Sequence, residues 1–365
     1  MIKPKRKIII TGTHLTPALE LIRQLQSDSK TDWQISYIGR QSNSNDTNNI
    51  SIESQTIPSL GIKFYPIACG KLDRRYLPNT IAGIPKTIFG FFQSFFLIKK
   101  IKPDIVVSFG GYVSVPVIIN SKLNHIKSVT HEQTLTNSLT TKINSRFVNK
   151  VALSFDNQKQ INQLPQGKVV ITGNLLRYQL FQKQLTIPKD LKLKANKLFT
   201  IYITAGNQGS HSINLIIKKT LPLLKNFNII HQTGKNDLKF FKKLSQKYSN
   251  YFASDYFDTN NSSWIIQHAN LFISRSGANT SQEIVAFAKK SILIPLPQSQ
   301  QNEQLLNAQW VKEQLPEKTI IILSQNLNQK NLLSAISKLT HTNSTNKALS
   351  YKPNLNLLNL IHEII

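Results

Sequence analysis

Cysteine occurs once, at Cys69, so no disulfide can form within the chain, a usage that fits a reducing compartment. No stretch approaches ~20 apolar residues, the length a spanning helix needs. The opening "MIKPKRKIIITGTHLTP" sets basic residues before apolar ones in the manner of a signal peptide. Its apolar run is only Ile8-Ile9-Ile10 before Thr11 and Gly12, far short of an h-region, and it reads as a first strand. No Walker loop, no G-x-G-x-x-G fingerprint and no G-x-S-x-G elbow is present, so the common kinase, dehydrogenase and esterase readings lose their main support. No His/Cys cluster has zinc spacing, and the pair His131-Glu132 is not a metal motif.

Acidic residues are also scarce. Lys and Arg number 45 against 18 Asp and Glu, a net charge of +27, although charged residues are only 17% of the chain. Such a field attracts polyanions: nucleic acid, an anionic bilayer surface or a phosphorylated substrate. The basic residues are spread along the chain rather than gathered in one tail, which argues against a simple nucleic-acid arm.

What is present is an alternation. Short Ile/Val-rich runs, such as "KIIITGT" (7–13), "PDIVVSFGGY" (103–112), "LFTIYITAGNQGS" (198–210) and "NLFISRSG" (270–277), alternate with helical patterns. This predicts an α/β protein with parallel sheets and crossover helices, the strands covered on both faces. With 365 residues, two domains are expected. The polar stretch across 158–192 separates two strand series, and "YKPNLNLLNLIHEII" (351–365) reads as a last helix.

In open α/β sheets function gathers at the carboxyl ends of the strands, where this chain places its unusual turns. In "ITAGNQGSHSIN" Gly206 and Gly209 allow close backbone approach to a ligand, and the helix start that follows favours phosphate. A plain strand-to-helix turn fits equally well. Glu283, soon after Ser274-Arg275-Ser276-Gly277, suits either capping of its own helix or a ribose diol. Glu303 and Gln304 match sugar hydroxyls or simply polar surface. His14, between a strand end and Pro17, suits a general base for an alcohol, or a capping histidine. The segment 81–103 carries Phe89, Phe91, Phe92, Phe95 and Phe96 flanked by Lys86, Lys99, Lys100 and Lys102. That pattern suits interfacial membrane binding, and equally a buried helix between domain layers, or a mixture with one face in the core and an edge at the membrane.

Taken in order, these turns resemble one family. "GTHLTPAL", "GKLDRRY" (70–76), "SFGGYVSVP" (108–116), "HEQ" (131–133), "ITGNLLR" (171–177), "AGNQGS" (205–210), "HQTGK" (231–235), "ISRSGANTSQEI" (273–284) and "NEQLLNA" (302–308) are similar to the motifs of MurG-type glycosyltransferases, over nearly the whole chain. The resemblance implies a GT-B fold, two Rossmann-like parallel-sheet domains facing a cleft. The expected division is 1–160 for the acceptor and membrane side, 161–350 for UDP-GlcNAc, and 351–365 for a helix packing back on the first domain. It implies inverting transfer of GlcNAc to the C4 hydroxyl of MurNAc in lipid I, with no metal and no cofactor.

By the same resemblance, His14 would be the base. Arg177 and Phe257 would lie near the uracil, and Asn207, Gln208 and Gly209 would cradle the diphosphate. Ser276, Gly277 and Ala278 would border the donor, Glu283 would hold the ribose, and Glu303 and Gln304 would read the sugar. Thr13, Gly110, Gly111, Tyr112, Glu132, Thr134, Asn137 and Lys142 would serve the acceptor. Implied partners are UDP-GlcNAc, lipid I, the anionic cytoplasmic face of the cell membrane and other cell-wall enzymes, with no nucleic acid. The chain departs from the family in its shorter first turn and at Thr134, Asn207 and Glu303, each of which keeps hydrogen-bonding capacity. The other classes these features permit are a GT-B transferase with a different lipid acceptor, and a non-catalytic basic protein binding membrane or nucleic acid.

Overall fold

A computed structural model describes residues 3–42, 50–70, 77–182, 186–187, 191, 198–206, 208–297, 302–342 and 354–365. The chain divides into two compact units, Met1–Arg177 with Asn354–Ile365, and Tyr178–Pro353.

The first unit runs β1 (Lys5–Gly12), α1 (Leu15–Gln26), β2 (Asp32–Gly39), α2 (Ile52–Ser59), β3 (Lys63–Pro66), α3 (Leu77–Ile101), β4 (Ile105–Phe109), α4 (Ser114–Leu123), β5 (Lys127–Glu132), α5 (Leu139–Phe147), β6 (Lys150–Leu153), α6 (Gln158–Ile161) and β7 (Val169–Ile171). Its seven strands are all parallel, in the order β3-β2-β1-β4-β5-β6-β7. The expected boundary at 160 is therefore too early: Val169–Ile171 pairs with β6 and completes the first sheet.

The second unit runs β8 (Thr200–Thr204), α7 (His211–Thr220), β9 (Asn228–Gln232), α8 (Lys235–Lys247), β10 (Tyr251–Ser254), α9 (Thr259–His268), β11 (Leu271–Ser274), α10 (Ala278–Ala286), β12 (Lys290–Leu293), α11 (Glu303–Gln314), β13 (Thr319–Ile321) and α12 (Gln329–His341). Its six strands are also parallel, in the order β10-β9-β8-β11-β12-β13. The parallel sheets expected from the Ile/Val runs are present. In β4 and β8 every residue is buried, as strands covered on both faces must be.

Helices bury one stripe each. In α1 the buried apolar positions Ala18, Leu21, Ile22 and Leu25 follow helical spacing and face the first core. The last helix, α13 (Asn356–Ile364), adds Leu357, Leu358, Leu360 and Ile361 to that same core. Polar contacts fix its place. Gln24 donates to the Asn354 carbonyl at 3.1 Å, and His362 Nε2 lies 2.9 Å from Asp28 Oδ2. In α3, Gly90, Ser94 and Ile98 are buried while Phe89, Phe92 and Phe96 are exposed on the other side. Asn120 of α4 holds α3 by donating to the Phe91 carbonyl and Ser94 Oγ, at 2.8 and 2.7 Å. Among the described residues no helix is long and apolar enough to cross a membrane.

Since Ile361 is fully buried in the core shared by α1 and the first sheet, Ile361→Ala should cost about 2–5 kcal/mol through lost burial and a residual cavity. Denaturant unfolding followed by circular dichroism measures this; a loss under roughly 1 kcal/mol would mean that α13 contributes little to the unit.

Candidate active site

In each sheet the chain order reverses once, between β1 and β4 and again between β8 and β11. At such a point neighbouring strands send their following connections to opposite faces and leave a crevice at their carboxyl ends.

At the first reversal, β1 ends in Gly12-Thr13-His14 and β4 in Gly110-Gly111-Tyr112. The two turns are in direct contact. Thr13 N–H donates to the Gly110 carbonyl at 3.1 Å, and a Cβ on Gly12 would stand 2.7 Å from that same oxygen. Gly110 and Gly111 hold φ of +70° and +80°, a conformation that costs glycine little. A buried polar cluster sets this turn. Ser108 Oγ accepts from Gly110 N–H at 3.1 Å, Ser114 Oγ donates to the Gly111 carbonyl at 2.9 Å, and Asn144 Nδ2 donates to Ser114 Oγ at 3.0 Å.

His14 occupies the N-cap position of α1 but makes no capping bond with its side chain, and the first turn of α1 has no acidic residue. Its ring lies over Gly110, where a Cβ would come within 3.4 Å of Cδ2. The ring keeps contact with solvent while protein crowds around it. That desolvation lowers its pKa below the ordinary 6.5; Glu132 opposes the shift and Arg40 adds to it. Arg40 follows β2. It pairs with the buried Glu53 at 2.7 Å, and its guanidinium carbon lies 6.0 Å from the Tyr112 ring centre.

The "HEQ" motif closes β5. His131 is fully buried, and burial pushes its pKa down to about 4, so it is neutral near pH 7. Its Nε2 lies 3.0 Å from the Gly173 carbonyl, which makes Nε2–H the donor, and Nδ1 accepts from Gln133 at 3.2 Å. Both Glu132 carboxylate oxygens accept hydrogen bonds within the loop, from Thr134 N–H and Oγ1, Ser138 N–H and Thr141 Oγ1 at 2.6–3.2 Å.

At the second reversal, β8 leads into Gly206–Gly209 and β11 into Arg275–Gly277. Thr204 Oγ1 accepts from Gly206 N–H at 3.2 Å, and Gln232 Nε2 donates to the Gly206 carbonyl at 3.0 Å. A Cβ on Gly209 would run into the Thr233 carbonyl, so only glycine lets this turn sit against the end of β9. Arg275 fastens the loops together. Nη1 donates to the Ile294 and Pro295 carbonyls and to Ser324 Oγ at 3.0–3.2 Å; Nη2 donates to Ser210 and Ser212 Oγ at 2.9 Å each. Among the described residues no carboxylate pairs with it, and burial lowers its pKa. A half-buried cation without a counter-ion, beside the start of α7, is a place where an anion is favoured.

Two matches cover most of the chain: residues 8–153 match the glycosyltransferase family 28 N-terminal domain and residues 200–363 the family 28 C-terminal domain. The chain belongs to glycosyltransferase family 28. Relatives of this family 28 chain include proteins named UDP-N-acetylglucosamine--N-acetylmuramyl-(pentapeptide) pyrophosphoryl-undecaprenol N-acetylglucosamine transferase. The one from Lachnospira eligens is 31% identical over 92% of this chain and 91% of its own length. The one from Borreliella burgdorferi is 32% identical over 96% and 91%. The crystal structure of Acinetobacter baumannii MurG superposes with a TM-score of 0.68 at 20% identity, over 98% of this chain and 99% of that one. A Neisseria meningitidis UDP-GlcNAc 2-epimerase bound to UDP-GlcNAc gives 0.61 at 14% identity, over 98% and 100%. These two show the fold.

Within the family 28 chain the predicted residues sort by unit. Thr13, His14, Gly110, Gly111 and Tyr112 come together at the β1/β4 reversal. Thr134 lies in the loop that Glu132 organises, and Lys142 is exposed on α5. Glu132 and Asn137, also expected at the acceptor, hold that loop together: Asn137 is buried and donates to the Gln160 carbonyl at 2.8 Å.

In the second unit Gln208 and Gly209 form the β8 turn; Asn207 lies outside the described residues. Ser276 Oγ donates to the Gln304 carbonyl at 2.6 Å, and Asn307 donates back to the Ser276 carbonyl at 3.0 Å. The start of α10, with Gly277 and Ala278, is thereby tied to that of α11, which carries Glu303 and Gln304. Gln304 Oε1 accepts from Leu296 N–H at 3.0 Å. Glu283 is 8% exposed on α10, and the half-buried Arg177 closes the first unit. Phe257 differs from the expectation of a ring near the base: at 3% exposure it packs between Tyr202 and Phe252 in the core, so its backbone is what it can offer a ligand.

Sequence reasoning gave no role to Arg275, Arg40 or Asn144. An arginine inside a turn of small polar residues was the available signal for the first. Arg275→Met keeps much of the volume and removes every donor, so it should lower the stability of the second unit by about 2–3 kcal/mol. Thermal and denaturant unfolding measure this, and an unchanged midpoint would mean the cross-link contributes nothing.

Proposed function

We propose that this chain transfers GlcNAc from UDP-GlcNAc to the C4 hydroxyl of MurNAc in lipid I, with inversion, forming lipid II for peptidoglycan synthesis. The observation that carries this is the match to relatives bearing that transferase name over more than nine-tenths of both chains. In this reading the first unit takes the acceptor and the second the donor.

His14 is the general base. Its lowered pKa keeps the imidazole neutral at pH 7 and able to accept the hydroxyl proton as the oxygen attacks the anomeric carbon. Thr13, Gly110, Gly111 and Tyr112 form the acceptor side around it, with Thr134 and Lys142 on the neighbouring loop and helix; Glu132 and Asn137 keep that loop in shape. The departing diphosphate is met by the turn at Asn207, Gln208 and Gly209 and by the N–H groups that open α7, with the charge of Arg275 behind them. Glu283 accepts from the ribose hydroxyls beside Ser276, Gly277 and Ala278. Glu303 and Gln304 read the sugar, while Arg177 and the backbone at Phe257 lie toward the uracil.

The exposed Phe89, Phe92 and Phe96 of α3, with Lys99 and Lys100 in its last turn, suit docking on the anionic cytoplasmic face of the cell membrane, where the lipid acceptor and other cell-wall enzymes reside.

The test is purified protein with radiolabelled UDP-GlcNAc and a short-chain lipid I analogue in detergent. Formation of disaccharide-lipid is expected; donor binding without transfer would redirect the search to another acceptor, and absence of donor binding would overturn the reading. His14→Ala should lower turnover by roughly 100-fold or more with donor affinity intact. For the wild type, the rate should hold through pH 7 and fall on the acid side only below the ordinary histidine value of 6.5, because only the neutral ring is a base; a flat profile or a near-normal mutant rate removes His14 from the role. Glu283→Ala should weaken UDP-GlcNAc binding by about 1–3 kcal/mol, read by calorimetry, with unchanged affinity ruling out the ribose contact.

A further inference from the structure

The second unit segregates its charge. The helices α7 and α8 connect β8 to β9 and β9 to β10, moving the same way along the sheet, so they lie on one face. α12 packs beside α7 in the same core, and Gln329 at its start donates to the Lys219 carbonyl at 3.0 Å. Between His211 and Lys247 stand eight lysines and one acidic residue, Asp237. That one is occupied: it lies 3.0 Å from His211 Nδ1 and accepts from Asn214 at 2.7 Å. From Gln329 to His341 there are two more lysines and no acid. The other described acidic residues of the unit, Asp255, Asp258, Glu283, Glu303, Glu313 and Glu317, lie on or beside β10, α9, α10 and α11.

Apolar side chains stand out among these lysines. Leu215 of α7 and Leu223 in the turn after it are 44% and 59% exposed, and Phe240 of α8 is 42% exposed. Lys218 Nζ sits 4.5 Å from the Phe240 ring centre, so the outer edges of α7 and α8 form one continuous surface. The inward residues Ile213, Ile217, Leu221 and Phe241 of the same elements belong to the core.

We propose that this α7–α8–α12 face is a second membrane-contacting surface, on the nucleotide-sugar unit, which binds an anionic lipid headgroup layer. Three features favour lipid over a protein partner. The cations are all lysine, a residue depleted from protein interfaces, whereas arginine, which is enriched there, is absent from 211–247 and 329–341. The apolar tips are spaced singly rather than joined into a patch that a protein would cover. Lysines with a few Leu and Phe tips are the composition that rests at the level of headgroups. This surface goes beyond the α3 contact, and only its biological meaning rests on the lipid-acceptor reading.

The experiment uses the full chain and vesicles of phosphatidylcholine with or without phosphatidylglycerol, in low and high salt. The variant Lys218→Gln/Lys239→Gln/Lys243→Gln/Phe240→Ser, compared with Phe89→Ser/Phe92→Ser/Phe96→Ser on α3, should sediment with the anionic vesicles about 10-fold or more weakly than the wild type. It should keep its circular dichroism and its transfer rate in detergent. A dye attached at position 240 in a Phe240→Cys/Cys69→Ser chain should shift to the blue with anionic vesicles and not with neutral ones. Wild-type vesicle binding by the lysine variant, with all loss confined to the α3 variant, would overturn the proposal. So would an unshifted dye, or duplex DNA outcompeting the vesicles for this face. If the wild type binds vesicles in this way yet transfers no sugar, the catalytic reading fails and the surface stands.

Discussion

Both candidate sites of this chain sit where helices leave adjacent central strands, with their first N–H groups at the crevice. A parallel sheet whose order reverses cannot avoid making such a place. Here it is made twice, at β1/β4 and at β8/β11. Glycine at the turns does the local work. It lets Gly12 approach the Gly110 carbonyl and Gly209 the Thr233 carbonyl, where a side chain would collide with backbone. A protein that must bind phosphates through backbone dipoles has few other ways to bring them together.

Those turns are held by buried and half-buried polar groups. Ser108, Ser114 and Asn144 set the Gly110-Gly111 turn, the Glu132 carboxylate draws its loop together, and Arg275 joins four strand ends. Each is costly to leave unpaired and so fixes one arrangement. His131 and His231 belong to the same class. Burial takes both far below the ordinary histidine range, to about 4 and about 3, so both act as neutral hydrogen-bonding struts, whereas His14 keeps contact with solvent.

The large positive charge also acquires a direction from the fold. Read along the chain it is diffuse, but in the second unit lysine gathers on α7, α8 and α12 with a single acidic residue among them, while the other described acidic residues lie on α10 and α11 or in the segments beside β10, α9 and α11, mixed with lysines. Charge segregated in this way acts on a flat anionic surface over a Debye length, which evenly mixed charge does not.

The sequence by itself determined the class of fold and the positions of the glycine turns, because buried parallel strands need continuous Ile/Val runs and a turn of positive φ needs glycine. The family resemblance was legible for the same reason: the motifs are short, local and in order. Tertiary structure alone decided the rest. β3, β10 and β13 are three or four residues long and exist because a neighbouring strand offers them hydrogen bonds, so no local pattern announced them. The place of Val169–Ile171 in the first sheet, the burial of Phe257, the inward role of Glu132 and the reach of Arg275 across four loops all depend on residues distant in sequence. A side chain's type states what bonds it can make; only the packed chain decides which partner is within 3 Å.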